Sequence, residues 1–228
     1  SSAASDVYKR QQGSSVISTE DEARDWLRAL PEYDQAAQER LEILVRMLAE
    51  ENTRQNLVSA ASLDQVWLRH IVDSAQLLPH VPRGTSSPWI DLGTGAGFPG
   101  LVIAALRPEC EVLMVESRAR RIEWRDRARL AMGLDKARVL GQRLELVETR
   151  EARVISARAF APLEKLLTLS ARFSTSDTVW LLPKGRSAQQ ELDDLRKWRH
   201  VFHVEQSLTD PQAGIIVGTL AGGKGKTK

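Results

Sequence analysis

Trp89-Ile90-Asp91-Leu92-Gly93-Thr94-Gly95-Ala96-Gly97-Phe98-Pro99-Gly100 decides how this chain folds. An apolar run closes on an acid, four glycines follow at close spacing, and Leu101-Val102-Ile103-Ala104-Ala105-Leu106 comes next. That order reads as strand, tight turn, helix. Glycine serves where the backbone bends sharply or must come close to a ligand with no Cβ between. A turn at a helix N-terminus also offers free N–H groups. The stretch is therefore expected to hold a nucleotide-like cofactor.

Outward from the glycines, strand and helix alternate. The pattern predicts strands over 88–92, 111–116, near 137–140, near 153–156 and over 179–182, with helices over 99–107, 118–132, 162–170 and 188–199. Two last strands near 200–207 and 214–220 have no clear helix between them, which suggests an antiparallel edge on a parallel sheet. On the N-terminal side, Thr19-Glu20-Asp21-Glu22 fits a capping box. Ala23, Trp26, Leu27 and Leu30 then follow at helical spacing up to Pro31. Further helices are read from Ala37, Leu41, Leu44, Val45 and Leu48, and from Ser62-x-x-Gln65 onward. The expected class is α/β: a Rossmann-like, mostly parallel sheet over 88–221 with a small N-terminal helical module over 18–80. Residues 1–17 are expected to be a disordered extension and 222–228 a flexible basic tail.

Composition narrows the setting. The 228 residues are 42% hydrophobic and 27% charged, an ordinary globular balance. No apolar run approaches a membrane span, and no secretory signal precedes the first helix. One cysteine, Cys110, excludes an internal disulfide framework. No metal site is expected. A cytoplasmic monomer with no membrane partner is the expectation. The formal net charge of +2 is uneven: residues 1–87 carry 9 Lys/Arg against 13 Asp/Glu, while 88–186 carry 17 against 12. Arg118, Arg121, Arg125 and Arg129 form one helical stripe, either a solvated face or a phosphate-binding surface.

Two cofactors fit the glycines. Gly95-x-Gly97-x-x-Gly100 satisfies the dinucleotide fingerprint. The wider frame is Asp91-x-Gly93-x-Gly95-x-Gly97, with Glu116 following 25 positions after Asp91 at the end of the second strand. In a βαβ unit that acid faces the same crevice, where it can accept from both ribose hydroxyls. An acid just before the glycines is unnatural beside a pyrophosphate. It suits S-adenosylmethionine, which carries a sulfonium and an amino group.

The residues also resemble a family. Asp91 to Gly100, Val115-Glu116-Ser117, Arg158-Ala159-Phe160-Ala161, Leu182-Pro183-Lys184-Gly185, Asn52-x-x-x-Asn56-Leu57 and Arg69-His70-Ile71-Val72-Asp73-Ser74 are together similar to RsmG (GidB) methyltransferases. The resemblance runs in order from about Trp26 to Leu220. It implies a class I methyltransferase that moves a methyl group from S-adenosyl-L-methionine to N7 of a guanine in 16S ribosomal RNA, either free or in the small ribosomal subunit. It also implies a cofactor pocket at Gly93, Phe98, Leu144, Glu145 and Arg158, beside the Asp91, Gly95, Gly97 and Glu116 read from spacing. Arg143 matches an arginine associated with activity, and Arg158 is a second candidate catalytic residue. The chain departs from the pattern at Ala157, which stands between Ser156 and Arg158.

The remaining chemistry agrees with N7. No Asn/Asp-Pro-Pro-aromatic motif for amine methylation exists, and Cys110 lies before the second strand, away from where a pyrimidine-methylating nucleophile would sit. N7 carries no proton at neutral pH and needs no general base. Lys184, Arg186 and the lysine tail are candidate phosphate ligands, and Phe160 and Trp124 are candidate stacking surfaces. His70, on an apolar helix face, is expected to be a hydrogen-bonded core residue. The rivals are a nicotinamide-dependent oxidoreductase and a non-catalytic ribosome-assembly factor on the same fold.

Overall fold

The computed structural model describes residues 16–86 and 88–221. The expected basic tail, with Lys224, Lys226 and Lys228, and most of the expected N-terminal extension lie outside the described residues. Ile17 departs from that extension: it is buried, and its N–H donates to the Leu208 carbonyl at 2.8 Å.

The first helix, α1 (Glu20–Arg28), starts on the expected capping box. Thr19 Oγ1 accepts from the Glu22 N–H at 3.1 Å, and Glu22 returns the bond to the Thr19 N–H. Asp34 caps α2 (Gln35–Asn52), whose inward face is Ala37, Leu41, Leu44 and Leu48. The third helix begins earlier than the sequence suggests. Ser59, rather than Ser62, caps α3 (Ala60–Leu63). A π-helical segment (Trp67–Val72) then runs into α4 (Asp73–Ala75). Glu20 supplies the missing N-terminal acceptors there, taking the N–H groups of Trp67 and Leu68 at 3.2 and 2.8 Å.

The glycine stretch follows β1 (Trp89–Leu92) and leads to α5 (Gly100–Leu106). Next come β2 (Val112–Glu116), α6 (Ala119–Ala131) and β3 (Ala137–Gly141). β4 (Ala152–Ala157), α7 (Leu163–Ser170), β5 (Ser174–Lys184) and α8 (Ala188–Asp193) continue the alternation. β6 (His203–Gln206) and β7 (Gly214–Gly218) close it. The sheet order is β3-β2-β1-β4-β5-β7-β6. β1 to β5 are parallel, and β7 pairs antiparallel with both β5 and β6. The α/β class and its antiparallel edge are as expected. Two boundaries differ: β5 starts five residues earlier than the apolar run Val179–Leu182, because its polar first half still pairs with β4 across a register shift. α8 stops at Asp193 rather than near 199.

β1 is buried at all four positions, as a central parallel strand covered on both faces must be. One face carries Leu27, Leu41, Leu48 and Ile71 of the N-terminal helices, packed in one core with Leu101, Ile103 and Trp124. The other carries Leu163, Leu167, Phe173 and Trp180. The N-terminal helices thus share a core with the sheet, and the order reverses at β1, where ligands bind in open α/β sheets. Among the described residues no helix is long and apolar enough to cross a membrane.

Candidate active site

The glycine loop is held from beneath by a buried relay. Trp89 Nε1 donates to Ser156 Oγ at 2.9 Å, and Ser156 Oγ donates to Asp91 Oδ1 at 2.6 Å. Asp91 Oδ2 accepts the Gly100 N–H at 2.8 Å. Asp91 has no exposed surface and both its oxygens are engaged, so it anchors the loop to β1 and β4 from inside. Burial pushes its carboxyl up to about 7, resisted by the Ser156 and Gly100 donors and by Arg125 and Arg158. The close approach explains Gly100: a Cβ there would stand 2.8 Å from Asp91 Oδ2 and 2.6 Å from Met114 Cγ. The extra Ala157 is absorbed by β4, which stays extended to Ala157 and keeps Ser156 facing Asp91.

Above the loop, Gly93 has φ +62°, and a Cβ on it would clash with the Phe160 ring at Cδ2. Phe160 is held there by the turn after β4, where Ala159 takes a positive φ of 49°. That conformation is uncommon for a residue with a Cβ. Phe98 is buried in the loop, its peptide to Pro99 is cis, and its ring stacks on His70 at 5.0 Å between centroids.

Glu116 ends β2 beside this loop, as the spacing predicts. Its Oε1 accepts the N–H groups of Ser117 and Arg118 at 2.8 and 3.0 Å, and its Oε2 accepts from Arg125 Nη2 at 2.6 Å. Burial pushes the carboxyl up, but those N–H donors and the guanidinium outweigh it and hold it below the usual range. It is an anion at neutral pH.

Arg125 corrects the sequence reading. It is not part of a surface stripe: it is fully buried, and Nη2 also donates to the Gly95 carbonyl. Arg129 is tied to Asp126 at 2.7 Å and Arg121 to the Asn56 carbonyl at 3.1 Å, which leaves Arg118 as the freely exposed member. Trp124 is likewise no stacking surface, being buried with Nε1 donating to the Ala96 carbonyl at 2.8 Å. Lys184 is committed to Glu191 at 2.9 Å and to the Ala161 carbonyl at 2.7 Å.

On the other side of the loop, Arg158 leaves the end of β4 and meets the N-terminal helices. Its Nη1 donates to Asp73 Oδ2 at 3.1 Å, and its guanidinium carbon lies 5.5 Å from the Phe98 ring centre. Arg69 and Asp73, four residues apart, do not pair with each other. Asp73 is held by Arg158, Thr209 Oγ1 and Gln76, and Arg69 reaches Gln65 Oε1 and the Thr209 carbonyl instead. Arg158, Phe160, Asp73 and Gln76 line one wall of a cleft of about 430 Å³ whose far side is Lys184, Gly185 and Gly214. Arg143 and Glu145 are exposed after β3, beside the buried Leu144.

His70 is the hydrogen-bonded core residue expected. Its Nε2 meets Ser62 Oγ at 3.0 Å. Burial, then the Arg158 and Arg69 cations, lower its pKa to about 4. A histidine depressed from 6.5 leaves the folded state neutral where the unfolded chain is already charged. Its contribution is complete above pH 6.5 and is lost as pH falls toward 4. On the order of 3 kcal/mol is expected to disappear over that window. Denaturant unfolding of wild type and His70→Phe at pH 7 and pH 4.5 checks this: the variant should lose less stability between the two, and an identical loss rejects the assignment.

The donor set fits S-adenosylmethionine better than a dinucleotide. The Asp91 carboxyl lies directly beneath the loop, which disfavours a pyrophosphate there, whereas Glu116 at the end of β2 suits the ribose of either cofactor. A Cβ on Gly95 would meet only Arg121 Nη1, at 3.8 Å, so the loop is open on that side. Thr94 Oγ1 and the Nε and Nη1 atoms of Arg125 are buried at the loop with no partner among the described residues.

Comparison with known proteins agrees in two steps. Solved structures of similar fold include a SAM-dependent methyltransferase from Aquifex aeolicus (TM-score 0.52, 14% identity, 73% of this chain and 95% of that one) and the Methanococcus jannaschii fibrillarin pre-rRNA processing protein (TM-score 0.52, 14% identity, 63% and 70%). These share a Rossmann-like α/β fold with this chain. The family model for GidB, rRNA small subunit methyltransferase G, matches residues 37–211. Ribosomal RNA small subunit methyltransferase G of Erythrobacter litoralis is 59% identical over 93% of this chain and all of its own length. That of Novosphingobium aromaticivorans is 59% identical over 92% of each. The chain belongs to the rRNA small subunit methyltransferase G family.

Proposed function

We propose that this chain transfers a methyl group from S-adenosyl-L-methionine to N7 of a guanine in 16S ribosomal RNA, by in-line positioning and without a covalent enzyme intermediate. The observation that carries the proposal is an ionised Glu116 at the carboxyl end of β2, beside an open glycine loop, in a chain of this family. S-adenosylmethionine supplies an electrophilic methyl group when bound. Glu116 is placed to accept from its ribose hydroxyls, while Gly93, Gly95 and Gly97 give it room. Leu144 offers an apolar wall and Glu145 an acceptor for the adenine. Phe98 backs the loop, and Asp91 keeps it closed from beneath.

The guanine N7 lone pair lies in the base plane and bears no proton. The site accordingly needs donors and walls rather than a base. His70 is a poor base with its pKa near 4, and Cys110 sits just before β2, at the opposite end of the sheet from the loop. Phe160 partitions the loop from the 430 Å³ cleft, which is roomy enough for a nucleotide base. Arg158, braced by Asp73, can donate to guanine O6 next to N7 or to the cofactor carboxylate. Holding the two reactants in line accounts for about 7–11 kcal/mol of barrier lowering. In this reading residues 88–221 carry the transfer, and the 18–80 module contributes Asp73 and His70 to the cleft wall. A ribosomal RNA substrate sets the working protein, as a monomer, in the cytoplasm.

Two measurements bear on this directly. Calorimetry should give saturable binding of S-adenosylmethionine and none of NAD; the reverse pattern favours the oxidoreductase. Arg158→Ala should lower kcat/KM about a hundredfold or more, the loss typical of removing one transition-state donor. Its stability should fall by only about 1 kcal/mol, because Asp73 keeps Thr209 and Gln76. Full activity in that variant removes Arg158 from the site.

A further inference from the structure

The parallel strands end on one rim, and the register fixes which residues share it. Glu116 pairs with Gly141, Leu92 with Val115, and Leu92 again with Ala157. Arg143 and Arg118 each stand two residues beyond the paired ends of β3 and β2, Arg120 lies in the first turn of α6, and Arg158 immediately follows β4. Arg186 follows β5 by two residues. So from β3 to β5 every strand end but the glycine loop itself delivers an arginine to the same side. Four strand spacings make this row about 19 Å wide.

These arginines are available. Arg118, Arg120, Arg143 and Arg186 are exposed, and among the described residues the one acid within 4 Å of their charged nitrogens is Glu116, 3.8 Å from the Arg118 Nε. The opposite rim has the reverse character. Glu109 and Glu111 precede β2, Asp135 precedes β3, and Glu148 and Glu151 precede β4. Two of its cations are spent, Lys136 on Glu109 at 2.6 Å and Arg107 on Glu32 at 2.9 Å, while Arg150 is exposed among these acids.

We infer that the RNA backbone crosses the carboxyl rim of the sheet from the β3 side to the β5 side, with Arg143, Arg118 and Arg120 on phosphates at one flank of the target nucleotide and Arg186 at the other. This inference rests on the ribosomal-RNA reading above. It replaces the α6 stripe, whose Arg125 is buried and whose Arg129 is paired, as the phosphate-binding surface. A strand laid this way passes directly over Phe160 and the 430 Å³ cleft, so one base turned inward would reach the glycine loop. Phosphate contacts set register and carry no sequence information themselves, which leaves base choice to the cleft.

The test is the salt dependence of binding to 16S ribosomal RNA transcript, by fluorescence anisotropy over a range of salt. Each phosphate contact contributes about 0.7 to the slope of log K against log salt for a single strand. The double variant Arg120→Ala, Arg186→Ala is expected to lower the slope by about 1.4 and to raise KM for RNA. Calorimetric affinity for S-adenosylmethionine should stay within about twofold of wild type. Arg150→Ala, an exposed cation before β4 on the opposite rim, should leave the slope unchanged. If the double variant folds poorly, the two single variants each carry the test, at about 0.7 apiece. A wild-type slope in the rim variants, or an equal loss from Arg150→Ala, overturns the inference while methylation by wild type stands. Failure of wild type to bind S-adenosylmethionine or to methylate small-subunit RNA overturns the functional reading instead.

Discussion

Glu116→Ala is expected to destabilise the fold by about 3–5 kcal/mol, in addition to removing a cofactor contact. The reason is its partner. Arg125 has no exposed surface, and among the described residues Glu116 is the one acid it pairs with and the Gly95 carbonyl the one other acceptor for Nη2. A guanidinium cannot shed its proton to escape, so the variant buries an uncompensated charge. Arg125→Leu should cost much less. Glu116 then still accepts from the Ser117 and Arg118 N–H groups and sits at the pocket edge. The double variant should recover much of what Glu116→Ala loses, because the stranded charge is gone. Urea unfolding of the four proteins reads this cycle. Additive losses would show that the pair is not coupled, and Arg125→Leu costing as much as Glu116→Ala would contradict the asymmetry. S-adenosylmethionine binding should survive Arg125→Leu in weakened form and be abolished by Glu116→Ala.

Gly93→Ala carries the second large effect, on the cofactor rather than on the fold. An alanine at φ +62° costs about 1–2 kcal/mol. Its Cβ must also displace the Phe160 ring, which is fixed by the unusual turn at Ala159. Moving either the loop or the ring spoils the surface on which the cofactor's methionine end would lie. The dissociation constant for S-adenosylmethionine is expected to rise about a hundredfold, roughly 2.7 kcal/mol. Adding Phe160→Ala should return part of that affinity by clearing the clash, though not the catalytic rate, since Phe160 also faces the substrate cleft. Wild-type affinity in Gly93→Ala, by titration calorimetry, would show that the loop does not cradle the cofactor.

The architecture was legible because its signals are local. A capping box at Thr19, glycines after an apolar run, and strand–helix alternation each depend on neighbours in sequence, and all appear in the structure. The antiparallel edge was legible for the same reason, since no helical pattern separates β6 from β7. The position of Glu116 followed from strand length alone. Arg125 was misplaced because a charged residue at helical spacing ordinarily marks a solvated face. The contrary signal was present in Trp124, Ala128 and Met132, an apolar i, i+4, i+8 row immediately beside Arg125 that turns it inward. What no local pattern could supply was pairing at long range. Asp73 meets Arg158 across 85 residues, and Ser156 meets Asp91 across 65. Those contacts follow from the strand order, which places β4 beside β1 and beneath the N-terminal helices. Lys184 was misread in the same way, its partner Glu191 lying on the next helix.

Methyl transfer to one atom of one base can be read directly. Small ribosomal subunits, or their 16S RNA, from cells lacking this protein should be incubated with the purified chain and methyl-labelled S-adenosylmethionine, and the labelled nucleotide then isolated. One labelled nucleoside is expected, 7-methylguanosine at a single position in 16S RNA, with no label transferred when Glu116→Ala replaces wild type. Label on an exocyclic amine, a ribose or a pyrimidine carbon, or no transfer by a protein that binds S-adenosylmethionine, would contradict it.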